Sequence, residues 1–142
     1  YNLRAAYRYE PGLTYKVSGT CTLPDGTNLP SSEITVRDIS CRGVGLQLSK
    51  ESSAKANAEA MAVSGIVDLC LQLMDCEHER MRDKYSADLT MTGKVARVER
   101  PQGSNKIIIG VEFQEIDTTQ EKAIASFVNA AQRYELRERS NS

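Results

Sequence analysis

From Val67 to Leu73 every second residue is a large aliphatic one, with Asp68, Cys70 and Gln72 set between them. A period of two places Val67, Leu69, Leu71 and Leu73 on one face of a pleated strand, and such a face must be buried. The same alternation runs through Glu33–Ile39 and through Val44, Leu46 and Leu48 after Gly43. It is partial from Leu13 to Leu23, where Pro24-Asp25-Gly26 then supplies turn chemistry. Leu89–Glu99 and Lys106–Phe113 add two strands joined by Pro101-Gln102-Gly103-Ser104-Asn105, a hairpin-type connection. Six strands with mostly short links predict a mainly β fold, an antiparallel meander closed or nearly closed into a small barrel.

Two segments break the alternation. Ala54, Ala56, Ala58, Ala60 and Ala62 are interleaved with Lys, Glu and Asn, which predicts a surface helix inserted at about 50–63 and ended by Gly65. Near the end of the chain, Thr118-x-x-Glu121 has the form of a capping box. Ile124, Phe127, Val128, Ala131 and Tyr134 then recur at helical spacing. This second helix, 118–139, is expected to lay its apolar stripe against the barrel, which is assigned to 13–115. Residues 1–12 are left as an N-terminal arm.

Length and charge narrow the function. A chain of 142 residues suits one domain, and with 40% hydrophobic and 26% charged residues it has a globular composition. No apolar run approaches the roughly 18–20 residues that a membrane span needs. Eighteen Lys and Arg against nineteen Asp and Glu leave a net charge of -1, without the cationic excess that drives binding to DNA or RNA polymers. Small-barrel readers of single strands also want basic grooves with exposed aromatics, and this chain has no Trp and two Phe. The cations that are present favour arginine, eleven to seven, and arginine suits bidentate recognition of planar groups.

Catalysis and metal binding find little support. The single histidine, His78, lies in a densely charged stretch from Asp75 to Lys84 that fits a solvated connection. Cys70, Cys76 and His78 match no familiar zinc spacing, and Cys21 and Cys41 are expected to be reduced thiols of a cytoplasmic protein. No nucleophile with its base, metal set or phosphate loop is written in the sequence. A start at Tyr1 with no initiator Met and no signal segment fits a domain cut from a longer protein, with a partner domain upstream.

Two short patterns carry the chemistry. Arg4-Ala5-Ala6-Tyr7-Arg8 offers two guanidiniums, and Asp38-Ile39-Ser40-Cys41-Arg42-Gly43 ends the second strand with a carboxylate, a hydroxyl and a glycine. Each is bland alone: Arg133 and Arg137 repeat the first spacing on a helical face, and Asp, Ser and Gly are ordinary turn residues. In this order, separated by a strand and a hairpin, they resemble the PilZ domain family of bacterial cyclic di-GMP receptors. Ile109-Gly110-Val111-Glu112-Phe113 looks like that family's last strand, and the closing helix stands where such domains place theirs. Gln132-Arg133-Tyr134-Glu135-Leu136-Arg137 is similar to PilZ domains of flagellar-brake-type proteins. The insertion at Ala54–Ala62 and the connection from Asp75 to Ser86 depart from the family pattern.

The resemblance implies a six-stranded antiparallel PilZ-type β-barrel with a C-terminal α-helix, in a bacterial cytoplasmic receptor that is not an enzyme. It implies cyclic di-GMP as ligand, held by Arg4, Arg8, Asp38, Ser40 and Gly43, with Leu3 and Arg42 as further candidates, and neither a metal nor a cofactor. The chemistry fits: Arg4 and Arg8 can present forks to guanine O6 and N7, stack on a purine or pair with a phosphate. Asp38, acceptor-only when ionised, suits the guanine N1 and N2 donors, and Ser40 is expected beside it on the same strand face. Gly43 is expected to supply a positive φ or a close backbone approach. Leu3 stands where some family members carry a further Arg, so one ligand per protomer is expected. Ligand binding is expected to order the arm and signal to an effector protein or adjacent domain. The competing reading is a PilZ-like protein–protein interaction module that binds no nucleotide.

Overall fold

The computed structural model of the chain describes residues 8–12, 14–23, 26, 28–49, 65–75, 85–103 and 106–140. Among the described residues seven strands are formed, β1 (Tyr15–Thr22), β2 (Asn28–Leu29), β3 (Ile34–Ile39), β4 (Gly43–Ser49), β5 (Ile66–Asp75), β6 (Tyr85–Glu99) and β7 (Lys106–Gln114), followed by one α-helix, α1 (Thr118–Ser140). All pair antiparallel in one sheet of order β2-β1-β5-β6-β7-β4-β3. The count is therefore seven rather than six. The added strand, β2, is only two residues long and pairs Leu29 with Cys21 and Asn28 with Thr22, too short a run to show a period. The inserted helix expected at about 50–63 lies outside the described residues.

Alternation builds the core as the sequence predicts. Val67, Leu69, Leu71 and Leu73 of β5, Val44, Leu46 and Leu48 of β4, and Ile107, Ile109, Val111 and Phe113 of β7 are all buried in one cluster. Strand β6 begins at Tyr85, four residues before the expected Leu89, and pairs with β5 as far as Asp75–Tyr85. Asp75, Tyr85 and Ser86, at the two ends of the expected connection, are thus strand, and the rest of it lies outside the described residues.

The sheet is curled without being closed by a continuous ladder. Its edge strand β3 comes into contact with β1, and Tyr9 bridges this seam. The Tyr9 amide donates to the Ile39 carbonyl and the Ile39 amide to the Tyr9 carbonyl, both at 2.9 Å, while the Tyr9 hydroxyl donates to the Tyr15 carbonyl at 3.0 Å. One aromatic residue thereby ties the arm to β3 and to β1, and it is 3% exposed.

Helix α1 covers the open end. Ile124, Phe127, Val128 and Ala131 are buried, with Tyr134 packed partly against the cluster. Phe127 meets the rings of Tyr9 and Tyr15 edge-on at 5.9 and 5.7 Å, and Tyr15 lies 5.6 Å from Tyr134. Such pairs contribute about 0.5–1.5 kcal/mol each beyond the area they bury. The cap sits one residue earlier than expected. The Gln120 amide donates to Asp117 Oδ1 at 2.7 Å and the Asp117 amide to Gln120 Oε1 at 3.2 Å, so the capping box is Asp117-x-x-Gln120. Gln120 Nε2 also donates to the Thr90 carbonyl at 2.6 Å, fixing the start of α1 on β6. Among the described residues no helix is long and apolar enough to cross a membrane.

Candidate functional site

The polar site forms where the arm meets the end of β3. Arg8 Nη1 donates to Asp38 Oδ1 at 2.5 Å, joining two patterns that stand 30 residues apart. Tyr9 holds the arm in place: its antiparallel bridge to Ile39 sets Arg8 across from Ser40, with Asp38 as the diagonal neighbour that the long arginine side chain reaches. The pair is open to solvent, with the Arg8 side chain 51% and the Asp38 side chain 24% exposed. A pair so wet contributes roughly 0–1 kcal/mol to folding. The fold therefore loses little when these two groups turn to another partner.

Two irregularities aim Asp38 outward. Register on β4 passes from Val36–Leu46 to Asp38–Gly45, so Arg37 is an extra residue, a β-bulge. Asp38 then faces away from the core while Ile39 returns to it, fully buried against Val44. The carboxylate leans over Gly45, and a Cβ at that glycine would lie 3.0–3.2 Å from its atoms. Gly45 thus makes the space in which Asp38 rests.

Ser40 occupies another place than the sequence suggests, while Gly43 meets one of the two requirements expected of it. Ser40 lies beyond the end of β3, is 2% exposed, and its Oγ accepts the Arg42 amide at 3.2 Å while its own amide donates to the Gly43 carbonyl at 2.9 Å. It stabilises the β3–β4 turn rather than standing beside Asp38 on the strand face. Gly43 does not have a positive φ, since among described glycines only Gly26 and Gly103 do. Its requirement is close approach: a Cβ there would come 2.3 Å from the Val111 carbonyl oxygen on β7. Arg42 is exposed, and its carbonyl accepts the Phe113 amide at 2.9 Å. Cys41 is half-buried, and burial, with Glu121 nearby, raises its thiol pKa, so it remains a neutral neighbour. Leu3 and Arg4 lie outside the described residues.

Sequence reasoning missed Tyr9 and Gly45. The signal for Gly45 was present: it interrupts an otherwise apolar strand, and a glycine inside a strand often marks close approach. Among the described residues no group of His, Cys, Asp and Glu is gathered as metal ligands would be.

A curled antiparallel sheet with a helix packed on it and a solvent-open Arg–Asp pair at its edge has the form of a small barrel-like domain. The chain belongs to the PilZ domain family, whose sequence profile matches residues 2–130. Solved structures with the same fold include the Bacillus subtilis inhibitor of motility (MotI/DgrA), 13% identical, with a TM-score of 0.64 over 94% of this chain and 53% of that one. The K. pneumonia MrkH–c-di-GMP complex is 15% identical, with a TM-score of 0.66 over 97% of this chain and 56% of that one. A second MrkH crystal is 14% identical, with a TM-score of 0.57 over 89% and 49%. The chain thus spans about half the length of these structures. Among curated proteins none matches the sequence.

Proposed function

We propose that this domain is a receptor for cyclic di-GMP, binding one dinucleotide per protomer in a bacterial cytoplasm and passing the event to an adjacent domain or effector protein. The observation that carries the reading is the Arg8–Asp38 contact, which unites the arginine pattern of the arm with the carboxylate of β3. Membership of the PilZ domain family and the likeness to a MrkH–c-di-GMP complex support the same ligand. Arg8 and Asp38 bring a guanidinium and a carboxylate to one solvent-open point, which suits a ligand carrying both phosphates and guanine donors. Arg4 is proposed to close over the ligand from the arm, and Arg42, exposed at the turn, to meet a phosphate. Ser40 and Gly43 support the site by holding the turn and the β4–β7 approach.

The signal has a physical route. Tyr9 follows Arg8 directly and packs on Phe127 of α1, so a ligand that draws Arg8 away from Asp38 pulls on a residue that also touches the helix. Ordering is expected upstream of Tyr9, whose backbone is already paired with β3. Calorimetric titration with cyclic di-GMP tests the reading: the wild type should saturate at a ratio of one, and Arg8→Ala or Asp38→Ala should cost on the order of 2 kcal/mol of binding. A wild type that gives no binding would leave the interaction-module reading in its place.

A further inference from the structure

Asp38 is only the first member of a row that crosses the outer face of the sheet. Asp38 pairs with Gly45, Gly45 pairs with Gly110, and Gly110 pairs with Arg97, so the four residues lie side by side on β3, β4, β7 and β6. A second bulge makes the row possible, because register on β7 passes from Val95–Val111 to Arg97–Gly110, with Ala96 extra. Each bulge turns a charged residue outward beside a glycine. The stem of Arg97 then leans over Gly110 as Asp38 leans over Gly45, with Cγ and Nε at 2.8 and 2.9 Å from where a Cβ of Gly110 would be. Paired residues in an antiparallel ladder lie about 4.5–5.5 Å apart. The carboxylate and the second guanidinium therefore rest over neighbouring positions of a floor that has no side chains of its own. Arg97 makes no ion pair with any described residue and is exposed.

The geometry points to Arg97 as a specificity-determining residue that reads the guanine held by Asp38. The inference rests on the receptor reading above. Along one edge of guanine run the N2 and N1 donors and then the O6 acceptor, with N7 beyond it. Adenine carries an acceptor at N1 and an amino donor in place of O6. Asp38 can only accept and Arg97 can only donate, so the two groups side by side match donor, donor, acceptor in the order guanine presents them. Adenine meets an acceptor against Asp38 and a donor against Arg97. Gly45 and Gly110 are positioning residues, since any side chain there would push one reader off the floor.

The test compares the full chain with Arg97→Ala, Arg97→Lys, Gly110→Ala and Arg8→Ala by calorimetric titration with cyclic di-GMP and cyclic di-AMP, and by thermal melting. Arg97→Ala should weaken cyclic di-GMP roughly fivefold to 150-fold, the range that a bidentate contact to guanine is worth. Its preference over cyclic di-AMP should shrink by the same factor and its melting temperature should stay at the wild-type value. Arg97→Lys should recover part of the loss, and Gly110→Ala should mimic the alanine variant by displacing the arginine stem. Wild-type preference retained in Arg97→Ala, with affinity within about twofold while Arg8→Ala loses roughly thirtyfold, would overturn the role of Arg97 and leave the receptor reading intact. A wild type that binds neither dinucleotide would overturn both.

Discussion

Replacing Gly43 by alanine separates a ligand residue from a structural one. Its Cβ would lie 2.3 Å from the Val111 carbonyl oxygen and 3.3 Å from Glu112 Cα, both backbone atoms that no rotamer change can move aside. Ordinary contact begins near 3.4 Å, so β4 and β7 must part by roughly 1 Å at this point. Overpacking of this kind costs about 1–3 kcal/mol. The Phe113–Arg42 hydrogen bond next to it, 2.9 Å long, is weakened as well, at about 1 kcal/mol for a full loss. Gly43→Ala should therefore destabilise the domain by about 2–4 kcal/mol. Urea unfolding followed by far-UV circular dichroism should show a lower midpoint with an unchanged slope, and saturating cyclic di-GMP should restore part of the loss by mass action. A stability within about 0.5 kcal/mol of wild type, together with lost binding, would refute the packing argument and return Gly43 to the ligand.

Other substitutions probe the rest of the site and fold. Gly45→Ala should displace the Asp38 carboxylate and reduce cyclic di-GMP affinity roughly tenfold in a titration, while changing stability by less than about 1 kcal/mol, because its nearest neighbour is a partly exposed side chain. Burial, reinforced by Asp68, pushes the Cys21 thiol from its ordinary 9.0 up to about 12. The unfolded chain releases this proton first, so stability should be full below pH 9 and fall as pH rises toward 12, by at most about 1.4 kcal/mol per pH unit; denaturation midpoints in Cys21→Ala, which lacks the group, should lose that part of the slope. Alkylation of the native protein should mark the exposed Cys70 well before the buried Cys21. Glu115 holds a left-handed φ of 51° between β7 and α1, so Glu115→Gly should relieve about 1 kcal/mol and raise the melting temperature by about 2–4 °C.

How much of this was legible depends on the length over which each signal repeats. Strand β5 declares itself because four aliphatic residues alternate along it, whereas Asn28–Leu29 offers two positions and no period. The helix start is ambiguous in sequence since Asp117-x-x-Gln120 and Thr118-x-x-Glu121 overlap by all but one residue, and only the hydrogen bonds choose the first. Arg8 and Asp38 were visible as residue types in a spaced pattern. Arg97 was not, because its place beside Asp38 depends on two bulges and on pairing across three ladders, which no local propensity encodes. Ser40 and Gly43 had the right chemistry for a ligand, yet a turn hydroxyl and a tight strand crossing ask for the same residue types.

Strand β3 is the last strand of the sheet, and the outer edge of such a strand is a template for any extended chain that meets it. Tyr9 takes one position on that edge with a reciprocal pair of hydrogen bonds and anchors it by a hydroxyl and an aromatic contact. Tyr9 thus covers part of that edge, the position where a further strand would otherwise add. An arm that swung free at Tyr9 in the course of signalling would trade that cover for its message. On the proposed receptor reading, a pinned Tyr9 beside a responsive Arg8 would let the domain signal without becoming adhesive.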